Sequence, residues 1–352
     1  MTNPTPFPRW PPDWPEIAQS IARAVQKGDW GRYRGAAIEE LVARITDLHS
    51  IKHCRLVCSG SIGIQWALQA VGVTAGDQVA LCGYDYPGNF RAIEALGARP
   101  VLVDVDPTTY SIDPQPLRTI DPDSISAVVV SHLYGIAAQI ESIRRICDEK
   151  GWKLVEDACQ NPAMPIAGRP AGTWGDIGVV SFGGSKPLTA GNGGALLTNN
   201  DAIASKLNAW LDRPSDATPL SELQAAAVLP QIDRLDACNQ VRWESAQAIL
   251  SDVGWMAQAM GDRLPCAGAT FYKFAFLSPQ RESTLEWMTQ AGLPVGKGYR
   301  SMHRSSDRRC GKIGDLRGCR DLGDQLCLLD HSVLLSEGSQ RQRLIDALNN
   351  RR

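Results

Sequence analysis

One aspartate, one glutamine, one serine and one lysine stand at intervals that suit a charged, phosphorylated aromatic aldehyde. They are Asp157, Gln160, Ser181 and Lys186, within KLVEDACQNPAMPIAGRPAGTWGDIGVVSFGGSKPLTAGNGGALLTN from Lys153 to Asn199. An aldehyde of this kind, pyridoxal 5'-phosphate, acts as an electron sink when a carboxylate keeps its ring nitrogen protonated and a lysine forms the imine to its aldehyde. Asp157 and Lys186 can supply those two groups. Taken singly, Asp157 reads equally well as a helix cap or ion-pair partner, and a lone lysine as a solvated surface charge. The joint arrangement is what points to this chemistry.

Such residues need elements to hold them. The run Lys-Leu-Val before Glu156-Asp157 reads as a buried strand ending in acids, and open parallel sheets bind ligands beyond the carboxyl ends of their strands. Neighbouring side chains on a strand point to opposite faces, so only one of Glu156 and Asp157 can face a pocket. Ile177 to Phe182 is a second short apolar strand. Gly183-Gly184 then let the backbone pass close to a ligand before Lys186.

Upstream, CRLVCSGSIGIQWALQAVGV reads as strand, sharp turn and helix. Gly60 and Ser61 sit at the helix start, where free amide hydrogens and the positive dipole end favour an anion. The plainer reading is an ordinary serine cap. QVALCGYDYPG reads as a strand running into a loop with Tyr84 and Tyr86. Tyr86 is a candidate to stack on a flat ring, or else a packing anchor. His132 follows the strand SAVVVS and could orient a ring oxygen or substrate, or be a satisfied core histidine. Strand and helix alternate to about residue 235, which predicts a mainly parallel sheet sandwiched by helices. Residues 1–35 read as an N-terminal arm and helix, 36–235 as a large cofactor-binding domain, and 236–352 as a smaller C-terminal α+β domain.

Composition limits the alternatives. Of the 352 residues, 43% are hydrophobic and 21% charged, the balance of a globular protein. A net charge of −2 gives no electrostatic footprint for nucleic acid or anionic membrane. No run is apolar enough to span a bilayer, and the start is unlike a secretory signal. The ten cysteines form no CxxC pair, which suits buried thiols in a cytoplasmic protein, and the five histidines are too scattered for a metal centre.

With these residues in view, the chain resembles the DegT-type sugar aminotransferases, pyridoxal-phosphate enzymes of the aspartate-aminotransferase fold (fold type I). The matching stretches are SGSIGIQWAL, GARPVLVDVDPTTYSIDP, VVVSHLYG, KLVEDACQ, AGTWGDIGVVSFGGSKPLTAGNGGALLT, SELQAAAVLPQIDRLD and MHRSS. The resemblance implies that Lys186 bonds the cofactor aldehyde and shuttles a proton, and that Asp157 pairs with the ring nitrogen. It implies that Gln160 contacts the ring or its phenolic oxygen, that Ser181, Gly60 and Ser61 bind the phosphate, and that Tyr86 stacks on the ring. His303 matches a histidine near the substrate, and Trp30 and His132 join it as candidates for substrate contact. A departure stands at Ala217-Thr218-Pro219, where relatives carry an asparagine that reaches the partner subunit's cofactor phosphate.

The function implied is transfer of an amino group from glutamate or glutamine to a keto sugar, nucleotide-linked, or to a keto-cyclitol, by a homodimer. Arg300, Arg304, Arg308 and Arg309 would bind an acidic substrate or form a solvated basic surface. Two other readings remain at this point. One is an aromatising dehydratase of the aminohydroxybenzoate synthase type, to which the FPRWP opening is similar. The other is a regulatory relative that has lost turnover.

Overall fold

A computed structural model describes residues 7–211, 216–260 and 268–350. Cys266, one of the ten cysteines, and residues 212–215 lie outside the described residues. Eleven strands carry the argument: β1 His53–Val57, β2 Gln78–Cys82, β3 Arg99–Val103, β4 Ala127–Ser131, β5 Lys153–Asp157, β6 Ile177–Ser181, β7 Gly194–Thr198, β8 Lys273–Leu277, β9 Val295–Lys297, β10 Gly311–Lys312 and β11 Leu326–Asp330. A short ribbon also pairs Pro165–Ile166 with Arg169–Pro170.

The larger sheet has the order β1-β7-β6-β5-β4-β2-β3-β10. Its central pairs, from β6 through β5, β4 and β2 to β3, are parallel. Strand β7 runs antiparallel to both neighbours, because the chain turns straight back from β6 after the lysine segment. Every residue of β4, β6 and β7 is buried, as expected of strands covered on both faces. The expected mainly parallel α/β architecture is therefore present. One detail was not legible: Gly311–Lys312, inside a segment that reads as irregular and basic, extends the large sheet beside β3.

Helices position the sheet through specific contacts. In helix Ala36–His49, Leu41 and Ile45 are fully buried. Its first amides, Ala37 and Ile38, donate to the buried carboxylate of Glu222 at 2.6 and 3.1 Å. That carboxylate occupies the space a side chain at Gly35 would need, since an added Cβ would come within 2.5 Å of both Glu222 oxygens. A second, smaller core gathers around β8, β11 and the helices Leu235–Asp252 and Gly338–Asn349, and Phe7 of the N-terminal arm is buried in it.

Glu156 and Asp157 do point to opposite faces of β5. The Glu156 carboxylate accepts from Gly172 N (2.6 Å), Trp174 N (2.6 Å) and Gly175 N (3.0 Å), and from His132 Nε2 (2.9 Å). His132 Nδ1 accepts from Ala138 N at 3.0 Å, which leaves Nε2 to carry the proton. Burial alone would raise the Glu156 pKa, but these donors hold it below its ordinary 4.5. Its stabilising contribution is thus complete at neutral pH and is lost as acidity takes the pH down through that lowered value. Glu156→Ala leaves three buried amides without an acceptor and is expected to lower folding stability by about 3 kcal/mol or more at pH 7. Urea unfolding at pH 7 and in mild acid checks this, with the gap between the two proteins narrowing on acidification.

Candidate active site

A cavity of about 420 Å3 opens at the carboxyl ends of β5 and β6, beside the loop that follows β2. Gly60, Ser61, Tyr86, Asp157, Gln160, Ser181 and Lys186 all line it. Helix Gly60–Ala70 starts there. Its cap, Ser59, accepts from Ile62 N at 3.2 Å, while the amides of Gly60 and Ser61 have no helical acceptor. The helix start packs so tightly on β6 that a Cβ at Gly60 would lie 2.8 Å from Cys159 Sγ and 2.9 Å from Ser181 Cβ. Only glycine lets this turn sit beside the Ser181 hydroxyl.

The lysine follows in a tight turn. Lys186 N donates to Gly183 O at 2.9 Å, and Phe182 N to Gly193 O at 2.8 Å, so the segment closes over the cavity before β7 begins. Lys186 Nζ stands 5.0 Å from the centre of the Tyr272 ring. The described residues give it no carboxylate partner within salt-bridge distance. Tyr86 is partly exposed, accepts from Ser61 Oγ at 3.4 Å and meets Tyr299 edge-on at 5.7 Å. Gln160 is more committed than its position in the sequence suggests. Its Oε1 accepts from Tyr134 N (2.7 Å) and its Nε2 donates to the Tyr299 hydroxyl (3.1 Å).

Asp157 reaches the cavity with both oxygens hydrogen-bonded. Oδ1 accepts from Cys159 N at 3.0 Å, and Oδ2 from Asn89 Nδ2 at 2.8 Å. Asn89 Nδ2 also approaches Asp85 Oδ2 (3.3 Å) and Ser131 Oγ (3.0 Å). This second buried carboxyl, Asp85, has its pKa raised to about 7, first by burial and then by the charge of Asp157.

Three sequence candidates lie elsewhere. His132, considered for substrate contact, is a core histidine locked between Glu156 and Ala138, away from the lining. Trp30 sits exposed on the turn Asp29–Gly31 and does not line the cavity. His303 bonds Ser301 Oγ at 2.9 Å on the loop that brings Tyr299 inward, outside the lining itself. Desolvation, then Arg304 and Arg320, lower its pKa. Of the basic group, Arg309 is spent on a bidentate pair with Glu94, at 2.8 and 2.7 Å.

Sequence reasoning missed Asp85, Asn89, Ser131, Tyr272 and Tyr299. Asp85 stands three residues past the end of β2, close enough that the strand-end rule that found Asp157 could have found it. Tyr272 and Tyr299 arrive from the C-terminal third, and no local pattern marks them. The segment at Ala217–Pro219 folds onto its own subunit: Thr218 O accepts from Cys58 N at 2.8 Å and its hydroxyl from Trp66 Nε1 at 3.1 Å.

A sequence profile of the DegT/DnrJ/EryC1/StrS aminotransferase family matches residues 14–348. The chain belongs to that family. It is a pyridoxal-phosphate-dependent aminotransferase. A curated relative, L-glutamine:2-deoxy-scyllo-inosose aminotransferase of Streptomyces kanamyceticus, is 30% identical over 332 residues, covering 84% of this chain and 77% of that one. GDP-perosamine synthase of Vibrio cholerae is 27% identical over 236 residues, 64% of each chain. The crystal structure of 3-amino-5-hydroxybenzoic acid synthase superposes with a TM-score of 0.86 over 98% of both chains at 24% identity, which shows the shared fold.

The aminotransferase's cavity fits its cofactor in kind: a lysine with no carboxylate partner among the described residues, a carboxylate at a strand end, and hydroxyls beside a helix start where a phosphate needs donors. Gly60→Ala must push the helix start away from Ser181. We expect pyridoxal phosphate to bind about tenfold more weakly or worse, as loss of one charge-assisted hydrogen bond would give, with the melting temperature little changed. Titration of cofactor-free protein followed by visible absorbance, beside a thermal melt, measures both.

Proposed function

We propose that this aminotransferase moves the amino group of glutamine or glutamate onto the ketone of a keto-cyclitol or a keto sugar, nucleotide-linked or free. The observation that carries the proposal is the convergence of Lys186, Asp157, Ser181 and the Gly60 helix start on one cavity. The relative from Streptomyces kanamyceticus is named for glutamine and a keto-cyclitol, and the one from Vibrio cholerae for a nucleotide sugar, which supports that range of acceptors.

In this reading each residue has a task. When bound, pyridoxal phosphate supplies the electron sink that makes the donor's α-proton removable. Lys186 Nζ would hold the cofactor's aldehyde and would be the base that takes and returns the donor's α-proton. The Asp157 carboxylate would keep a proton on the ring nitrogen. Ser181 Oγ, Ser61 Oγ and the amides of Gly60 and Ser61 would receive the phosphate. Tyr86 would cover the ring, and Gln160, braced by Tyr134 and Tyr299, would meet the ring oxygen. The second core around β8 and β11 supports a smaller domain beginning near residue 236, with Gly311–Lys312 returning to the large sheet, and residues 1–35 form an arm.

The working unit in this reading is a homodimer. Among the described lining residues Lys186 is the one cation, whereas a phosphate and a donor carboxylate would add negative charge, and a second copy could bring the balance. The nine described cysteines are free, and most are buried, which supports a reducing, cytoplasmic setting. No described helix is long and apolar enough to cross a membrane.

Purified protein should show a visible cofactor band that borohydride removes, and Lys186→Ala should lack it. Asp157→Asn should keep the band and lose on the order of a hundredfold or more in amino transfer from glutamine to 2-deoxy-scyllo-inosose or a keto sugar nucleotide. Mass spectrometry of the product decides the class. An amino product that retains every hydroxyl supports transfer, and loss of water from an aromatised product overturns it in favour of a dehydratase.

A further inference from the structure

Behind Asp157 lies a buried network that the proposed chemistry does not use. Asp85 follows β2, Ser131 ends β4 and Asn89 sits in the first turn of helix Pro87–Ala95; all three are essentially buried, and Asp85 itself is outside the cavity lining. Ser131 Oγ lies 2.9 Å from Asp85 Oδ2 and 3.4 Å from Asp157 Oδ2. Asn89 Nδ2 reaches both carboxyls, and Asn89 Oδ1 finds no donor among the described residues. Asp85 Oδ1 is fixed by Tyr86 N at 2.6 Å, which ties the carboxyl to the residue that covers the cavity.

The donors do not suffice for two ionised carboxylates. Ser131 has one hydroxyl proton and two carboxyl oxygens within reach. Two buried carboxyls that share such donors do not both ionise freely. We propose that Asp85 is a positioning residue for the cofactor's ring nitrogen, acting through Ser131 and Asn89 on Asp157, so that its protonation sets how firmly the ring nitrogen holds its proton. This rests on the reading of Asp157 as the ring-nitrogen partner.

The proton bookkeeping has two states. With Asp85 protonated, its O–H donates to Ser131 Oγ, and the Ser131 hydroxyl donates to Asp157 Oδ2. When Asp85 gives its proton to solvent, the Ser131 hydroxyl turns to Asp85 and Asp157 loses that donor. A second negative charge then also stands nearby. Both changes make Asp157 a stronger partner for a protonated ring nitrogen, so the ring proton is held more firmly above the Asp85 titration than below it.

The other titratable groups facing this network are Cys159, Tyr299 and, across the cavity, Lys186. Burial pushes the Cys159 thiol and the Tyr299 hydroxyl well above their ordinary values, so neither titrates near neutrality. His132 and Glu156 sit on the opposite face of β5 and do not contact Asp85. Asp85 itself is raised to about 7, first by burial and then by the charge of Asp157.

The test uses the protein loaded with pyridoxal phosphate labelled with nitrogen-15 in the ring, and follows that resonance with pH in the wild type, Asp85→Asn, Ser131→Ala and Asp157→Asn. The wild-type resonance should show an inflexion near neutral pH, Asp85→Asn should lack it, and Ser131→Ala should move it by about one pH unit, the equivalent of one hydrogen bond. An Asp85→Asn curve that superposes on the wild type overturns the inference, as does a flat wild-type curve. Should Asp85→Asn fail to fold, Ser131→Ala decides alone, and its identity with the wild type overturns the inference. If Asp157→Asn leaves the resonance unchanged, the assignment of Asp157 itself falls; if it moves the resonance and Asp85→Asn does not, only the role of Asp85 is lost.

Discussion

Two adjacent carboxylates on one buried strand must be satisfied on opposite faces, and much of the molecule is arranged to do so. Glu156 collects the amides of the Gly172–Gly175 turn and the His132 ring. That turn leads directly into β6, which ends in Ser181 and delivers Lys186. The Glu156 clamp therefore fixes the starting point of the strand that presents the Ser181 hydroxyl and leads to Lys186. Asp157, one residue on, is free of that burden and faces the cavity. Exchanging the two faces would take each carboxylate away from its donors, because side chains alternate with a period of two.

The cavity's position follows from topology. After β2 the chain places β3 on one side and β4 on the other, so the order of connections reverses between β2 and β4. Loops leaving neighbouring strand ends diverge at such a point and leave a crevice. Asp85 leaves β2, Ser131 ends β4, and Asp157 is its register partner on β5. Three polar residues from three parallel strands thus meet at one level without any of them being near another in sequence. Enclosure by the sheet's helices then makes their hydrogen bonds obligatory, since an unpaired polar group there would cost more than the bond returns.

What was legible in the sequence was what one segment determines by itself. Periodicity found the strands, and the strand-end rule found Asp157, Ser181, Lys186, Gly60 and Ser61 as neighbours of one cavity. Tyr86 came from the same reasoning. What escaped depends on distant segments. His132 reads as a candidate ligand until Glu156 and Ala138 are seen to hold both ring nitrogens. Gln160 looks free until Tyr134 and Tyr299 occupy its amide. Gly311–Lys312 forms a strand of only two residues, too short for any pattern, and it is recruited because the edge of β3 lacks a partner. Asp85 was hidden by the tyrosines on either side of it, which draw attention as ring-stacking groups.

The lysine is also held from a direction the sheet does not supply. The Lys186 carbonyl accepts from the indole of Trp10 at 3.2 Å, and the Trp10 ring stacks edge-on to His331 at 4.6 Å, just past β11. Arg242, fully buried, donates to His331 Nδ1 at 3.2 Å and lies 5.6 Å from the Trp10 ring, its pKa drawn down to about 10 by burial. A buried guanidinium whose Nε finds no acceptor among the described residues is costly, so the packing around it must be firm. Phe7, three residues before Trp10, is anchored in the second core. The arm thus links the second core to the backbone of Lys186 without passing through the large sheet. The Lys186 turn is therefore positioned jointly by strand β6 on one side and by the C-terminal region on the other.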